Sequence, residues 1–83
     1  MAQQTVLKRE DYHLLQKIGK NIVCYRKQQG LTQEAMAEMV DISRAHLARV
    51  ETGMGVASLP LLFAISVALD IPLKALFDFS EKN

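Results

Sequence analysis

Two arginines, Arg44 and Arg49, stand in a segment whose large apolar residues fall on one side when it is drawn as a helix. Leu47 and Val50 share that side, whereas Arg49 and the small Ala45 lie opposite, with Arg44 towards one edge. A guanidinium can bond two acceptors on a guanine at once, and an alanine can touch a thymine methyl. This pattern favours recognition of a partner over catalysis, although two arginines on an isolated helix would usually form only a solvated face.

Residues for other kinds of chemistry lack partners at useful spacing. His13 and His46 have no cysteine or acidic residue at the spacing of metal ligands. Cys24 is the only cysteine, which excludes an internal disulfide and a thiolate cluster. No Ser-His-Asp set, paired carboxylates or glycine-rich phosphate loop is visible in the sequence. We therefore expect no enzyme activity, no cofactor and no metal site.

The size and charge of the chain limit its partners. With 83 residues, of which 49% are hydrophobic and 23% charged, it forms one small folded domain. The net charge is only +1, but positions 1–50 contain eight Lys or Arg against five Asp or Glu. Positions 51–83 contain two basic and four acidic residues. A polyanion would therefore bind the first half.

A long uncharged stretch, SLPLLFAISVAL at positions 58–69, raises the question of a membrane anchor. A spanning helix needs about 20 apolar residues, and extending this stretch towards the N-terminus crosses Gly53, Gly55 and Pro60. The polar opening MAQQTVLKRED has no apolar region typical of a signal peptide. We expect no membrane segment and a cytoplasmic protein.

The apolar residues recur with helical spacing throughout, which predicts an all-α fold of five short helices. The first covers about residues 11–29, with Leu14, Leu15, Ile18, Ile22 and Tyr25 on one face, and Gly30 ends it. Thr32 and Ser43 are predicted N-caps of helices at 33–40 and 44–51. Ser58 caps a fourth helix that contains Pro60 in its first turn, and residues 73–79 form the fifth. The predicted organisation is an N-terminal arm at 1–10, one domain at 11–79 and a polar tail at 80–83.

The second and third helices have the dimensions of a helix-turn-helix, at about residues 33–51. The segment LTQEAMAEMVDISRAHLARVETG resembles the Cro/cI-type (XRE, lambda-repressor-like) DNA-binding family, as do the flanking IGKNIVCYRKQQG and SLPLLFAISVALDIPLKALF. The resemblance covers about residues 15–77 and implies a compact five-helix domain with its third helix in the major groove. The family usually has glycine in the turn, where this chain has Asp41, a residue that tolerates left-handed backbone.

The motif and the resemblance together predict specific contacts with double-stranded DNA. Base contacts are expected from the exposed side of the third helix, and backbone contacts from the ends of both helices. The resemblance also implies an ion pair between Arg26 and Glu51. The expected base contacts are Arg44, Ala45 and Arg49, and the expected backbone contacts are Thr32, Gln33, Ser43, Thr52 and Gly53.

The fourth helix is apolar on all sides, which indicates burial on both faces. The resemblance places Leu59, Leu62, Phe63, Ile65 and Leu69 inward and Pro60, Leu61, Ala64 and Val67 outward. Because so small a domain cannot cover the outward side alone, we expect a two-fold homodimer on a pseudo-palindromic site. Its predicted interface is Leu61, Ala64, Val67 and Phe79. Alternatively, Val6 and Leu7 of the arm or the fifth helix cover this side.

The expected function is sequence-specific DNA-binding transcriptional regulation by a homodimer. Two alternatives share the fold: an antitoxin, and a protein-interaction module with a protein partner. The sequence does not determine the target site or whether the protein represses or activates transcription. It also leaves open the role of residues 1–10, which could be a minor-groove arm or disordered.

Overall fold

The computed structural model describes residues 8–80 and is helical, with no strand in that range. The order is α1 (Arg9–Gln28), α2 (Gln33–Met39), α3 (Arg44–Thr52), α4 (Leu59–Ala68) and a 3₁₀ helix (Leu73–Phe77). The predicted all-α fold class is confirmed. No helix in residues 8–80 is long and apolar enough to cross a membrane. Val6 and Leu7, and the tail beyond Ser80, lie outside the described residues.

Helix α1 begins two residues before the predicted start. The Lys8 N–H donates to the Asp11 carboxylate at 2.7 Å, and acidic side chains in the first turn favour this helix end. At the other end Gly30 has a φ of 69°, as the sequence predicted for the residue after the helix. Leu14, expected on the inner face, is instead exposed, although it lies one turn before Ile18, which is buried together with Ile22.

Hydroxyl caps define α2 and α3. The Thr32 Oγ1 accepts from the Ala35 N–H and the Ser43 Oγ accepts from the His46 N–H, each at 3.0 Å. α2 stops at Met39, one residue earlier than predicted. In the turn Asp41 has a φ of 59°, so the left-handed backbone expected at this position is confirmed.

The 3₁₀ helix replaces the α-helix predicted at 73–79 and ends at Phe77. Pro72 precedes it, and Asp78 is already extended. The Asn21 side-chain amide donates to the carbonyls of Leu76 at 2.9 Å and Asp78 at 3.1 Å. These bonds tie the C-terminal segment to α1, which explains why the helix does not continue.

The core lies where α1, α2 and α3 meet α4 and the 3₁₀ helix. Gly19 lies at a very close approach of α1 to α3, since a Cβ built on it would stand 2.2 Å from the Glu51 carbonyl oxygen. Ala37 of α2 is buried as well. The buried hydrophobic side chains are Ile18, Ile22, Met36, Ala37, Leu47, Val50, Leu62, Ile65, Leu69 and Leu76.

The orientation of α4 differs from the prediction. Leu59 and Phe63, expected inward, are 62% and 58% exposed, and together with Val67, 61% exposed, they form a row that we call the α4 patch. Leu61, expected outward, packs half-buried against the core. Leu62, Ile65 and Leu69 set the buried side as predicted. A helix that is apolar on all sides gives no contrast from which its rotation can be predicted.

Candidate nucleic-acid interface

Helix α3 separates its core contacts from a polar outer face. Leu47 and Val50 anchor it in the core. The three residues predicted to contact bases, Arg44, Ala45 and Arg49, are all exposed. Within residues 8–80 neither arginine forms an ion pair. This face therefore offers two uncompensated guanidinium groups on a helix of nine residues, dimensions that suit the major groove.

A buried ion pair lies beneath this face. The Arg26 Nε donates to the Glu51 Oε2 at 2.7 Å, and its Nη2 donates to Oε1 at 3.1 Å. The two side chains are only 9% and 2% exposed. The Arg26 Nη1 also donates to the Leu31 carbonyl at 2.9 Å, so the pair links α1, the start of α2 and the end of α3.

Gln33 connects the ion pair to the outer face, which the sequence did not predict. Its Nε2 donates to the Glu51 Oε1 at 2.8 Å, and its Oε1 accepts from the Arg44 Nη1 at 3.3 Å. A carboxylate only accepts hydrogen bonds, so Glu51 fixes which end of the Gln33 amide faces Arg44. The second proton on Nε2 is not used by these two bonds, so Gln33 keeps one further hydrogen-bond donor.

The other residues predicted to contact the DNA backbone lie at helix ends. Thr32 and Ser43 cap their helices and remain exposed, and the exposed Thr52 donates its hydroxyl to the Arg49 carbonyl at 3.2 Å. Gly53 is buried, and its N–H donates to the Val50 carbonyl at 3.2 Å. Its φ of 77° ends α3. An added Cβ at this position would stand 2.6 Å from the Gln16 Cγ, so there is no room for a larger residue.

The loop after α3 folds back on the outer face of α3. The N–H groups of Met54 and Gly55 donate to the Arg49 carbonyl at 2.9 and 3.1 Å. The loop and α3 border an open cleft of about 400 Å³, which is lined by Ser43, Ala45, His46, Arg49, Gly55 and Val56. Thr52 and Gly53 of this segment were predicted to contact the DNA backbone, whereas Val56 was not predicted to lie beside α3; an apolar residue after Gly53 and Gly55 was the available signal.

Of the residues predicted at a dimer interface, Val67 is the most exposed. Leu61 and Ala64 are half-buried. Phe79 is also half-buried, and the Lys17 Nζ lies 5.8 Å from its ring centroid. The C-terminal segment therefore packs Phe79 beside α1.

Comparison with known proteins identifies this architecture. A helix-turn-helix family model matches residues 25–76. The restriction-modification controller protein C.AhdI from Aeromonas hydrophila is 33% identical, with a TM-score of 0.74 over 76% of this chain and 96% of that chain. SinR, the master regulator for biofilm formation, solved in complex with DNA, is 29% identical, with a TM-score of 0.69 over 74% and 98%.

An HTH_3 family transcriptional regulator from Vibrio cholerae is 27% identical, with a TM-score of 0.75 over 81% of this chain but 38% of that longer chain. A comparison with curated proteins gives no match. The family match spans most of the described residues, and it includes both helices of the motif and the exposed arginines. The chain belongs to the Cro/cI-type (XRE) helix-turn-helix family of DNA-binding transcription regulators.

Proposed function

We propose that the protein is a sequence-specific transcriptional regulator that places α3 in the major groove of a pseudo-palindromic operator as a homodimer. The observation that carries this proposal is the outer face of α3, where Arg44 and Arg49 are exposed without ion-pair partners among the described residues. The Arg26–Glu51 pair and the hydroxyl caps hold that face rigidly. Rigid presentation lowers the entropic cost of binding.

The proposed roles of the site residues follow from their positions. Arg44 and Arg49 donate to base edges, and Ala45 allows the helix to approach them. Thr32, Gln33, Ser43 and Thr52 stand at the ends of α2 and α3, where backbone and side-chain donors can contact phosphates. Gly53 has a left-handed main-chain conformation that keeps the following loop close to α3. Through this conformation it contributes to the contact with the DNA backbone.

The α4 patch is the proposed dimer interface. Leu59, Phe63 and Val67 form an uncharged apolar row of the kind that a second copy would cover. Ala64, half-buried, lies between two of them in the sequence and completes the interface. Helix-turn-helix dimers bind half-sites about 34 Å apart, one turn of DNA, and we expect that spacing for the two copies of α3 in this dimer.

Selection of binding sites from a random duplex pool at defined salt tests the DNA-binding proposal. We expect an inverted-repeat consensus whose binding is reduced in Arg44→Ala and Arg49→Ala. A matched control is Lys74→Ala, which removes an exposed positive charge from the 3₁₀ helix and should leave the consensus and affinity unchanged. Salt-sensitive binding without any sequence preference would contradict the proposal and favour the alternatives, an antitoxin or a protein-interaction module.

The mass in solution tests the dimer. We expect a dimer for the wild-type chain and a monomer for Phe63→Glu, because a carboxylate in the middle of the patch would be desolvated without a partner. Leu14→Glu places the same charge on an exposed apolar position of α1 and serves as the control that should remain dimeric. A wild-type monomer at high protein concentration would rule out this interface.

A further inference from the structure

We infer, on the basis of the proposed function, that the cleft beside α3 receives the 5-methyl group of a thymine and that Val56 forms one of its apolar walls. Val56 is 63% exposed, and it is not among the residues packed on the hydrophobic core. Its side chain lines the cleft together with Ala45 and Arg49. An exposed valine without a role in the core is therefore held against the surface proposed to contact bases.

Backbone bonds fix this position independently of Val56. The N–H groups of Met54 and Gly55 both donate to the carbonyl of Arg49, so the start of the loop is hydrogen-bonded to α3. Gly55 passes close to α3, since an added Cβ would make a tight contact of 3.3 Å with the Arg49 Cβ. The close approach brings the next residue, Val56, to the edge of the recognition face.

The lining of the cleft matches one chemical group in DNA. Thymine is the base that presents a methyl group in the major groove, and Ala45 and Val56 supply apolar surface on the two sides of the cleft. Arg49 and His46 also line the cleft and supply polar atoms for neighbouring base edges or phosphates. No carboxylate lines the cleft, and Arg49 belongs both to its lining and to the exposed face of α3, which favours duplex DNA over an apolar protein segment.

Replacement of thymine by deoxyuridine removes only the methyl group and tests the inference. Starting from the selected operator, each thymine is replaced in both half-sites, one position at a time, and affinity is measured for the wild-type chain and Val56→Ala. We expect one position at which the wild-type chain loses about fourfold in affinity per half-site, the effect of one buried methyl group. Val56→Ala should bind the thymine operator more weakly than the wild-type chain does. Its affinities for the thymine operator and for the deoxyuridine operator should differ less.

Met54→Ala is the matched control, since Met54 is a more exposed apolar residue of the same loop that does not line the cleft. It should keep the full preference for thymine, and circular dichroism should show both variants folded. Operator binding that is insensitive to every methyl group, or a preference that Val56→Ala retains in full, would overturn the inference and leave the proposed function intact. Failure to select any operator would overturn both.

Discussion

The guanidinium of Arg26 and the carboxylate of Glu51 meet inside the protein, with 2.7 Å between Nε and Oε2. They belong to α1 and to the last turn of α3, so the pair fixes the end of the recognition helix against the scaffold. No buried side-chain nitrogen or oxygen among residues 8–80 lacks a hydrogen-bond partner. The polar centre of the domain is therefore fully satisfied, and loss of one member would leave the other charge buried.

Arg26→Met should lower the free energy of unfolding by about 3–5 kcal/mol, because the Glu51 carboxylate would remain buried without its partner. The double variant Arg26→Met/Glu51→Leu should recover much of that loss, since no charge then remains in the site. Urea denaturation of the single and double variants measures both values. Equal decreases in the free energy of unfolding for the single and the double variant would show that lost packing, and not the unpaired charge, causes the destabilisation.

Gln33→Ala should weaken operator binding about fivefold, the equivalent of one hydrogen bond of about 1 kcal/mol. The reason is that Arg44 loses the amide oxygen that orients its guanidinium. Gln28→Ala removes an exposed glutamine from α1 and should leave binding unchanged.

A double-variant cycle separates the two roles of Gln33. If Gln33 acts by positioning Arg44, Gln33→Ala should have little further effect in the Arg44→Ala background. Losses that simply add would instead assign Gln33 an independent phosphate contact.

Local chemistry explains which features could be predicted from the sequence. The Ser58 Oγ accepts from the Leu61 N–H at 3.2 Å, and like the caps at Thr32 and Ser43 and the turn at Asp41 it depends on nearby residues. All four features were predicted. The rotation of α4 and the close approach at Gly19 depend on distant elements. Hydrophobicity alone does not distinguish the buried side of SLPLLFAISVAL from its exposed side, so Leu59 and Phe63 were placed wrongly, and nothing near Gly19 shows that α3 crosses there. The contact of Gln33 with Glu51 was missed for the same reason.

Gly19→Ala should destabilise the fold by roughly 3 kcal/mol, because the new methyl group meets the backbone of Glu51 and the two helices must separate. Gly30→Ala is an informative comparison, since no atom lies within 4 Å of its added Cβ. It should cost only about 1–2 kcal/mol, from its left-handed backbone. Thermal denaturation monitored by circular dichroism ranks the stabilities of the two variants. A larger loss of stability for Gly30→Ala than for Gly19→Ala would contradict the assigned helix crossing.

Asp41→Gly should raise the melting temperature. Its left-handed backbone costs a non-glycine residue about 1–2 kcal/mol, although glycine returns part of this gain as unfolded-state entropy. Asp41→Ala should act in the opposite direction, because alanine keeps the strain and lacks the side chain that tolerates this conformation. Changes of the same sign in both variants would indicate that the carboxylate, and not the backbone, determines stability at this turn.

Leu61→Glu and Val67→Glu should separate core packing from the dimer interface. Leu61 packs against the core, so its replacement should lower the free energy of unfolding by about 2 kcal/mol or more, through lost burial and a desolvated charge. Val67 lies on the exposed patch, so Val67→Glu should yield a folded monomer whose melting temperature does not change with protein concentration. Sedimentation equilibrium and calorimetry over a range of concentrations measure both properties. A folded, monomeric Leu61→Glu together with a dimeric Val67→Glu would instead place the interface around Leu61 and away from the α4 patch.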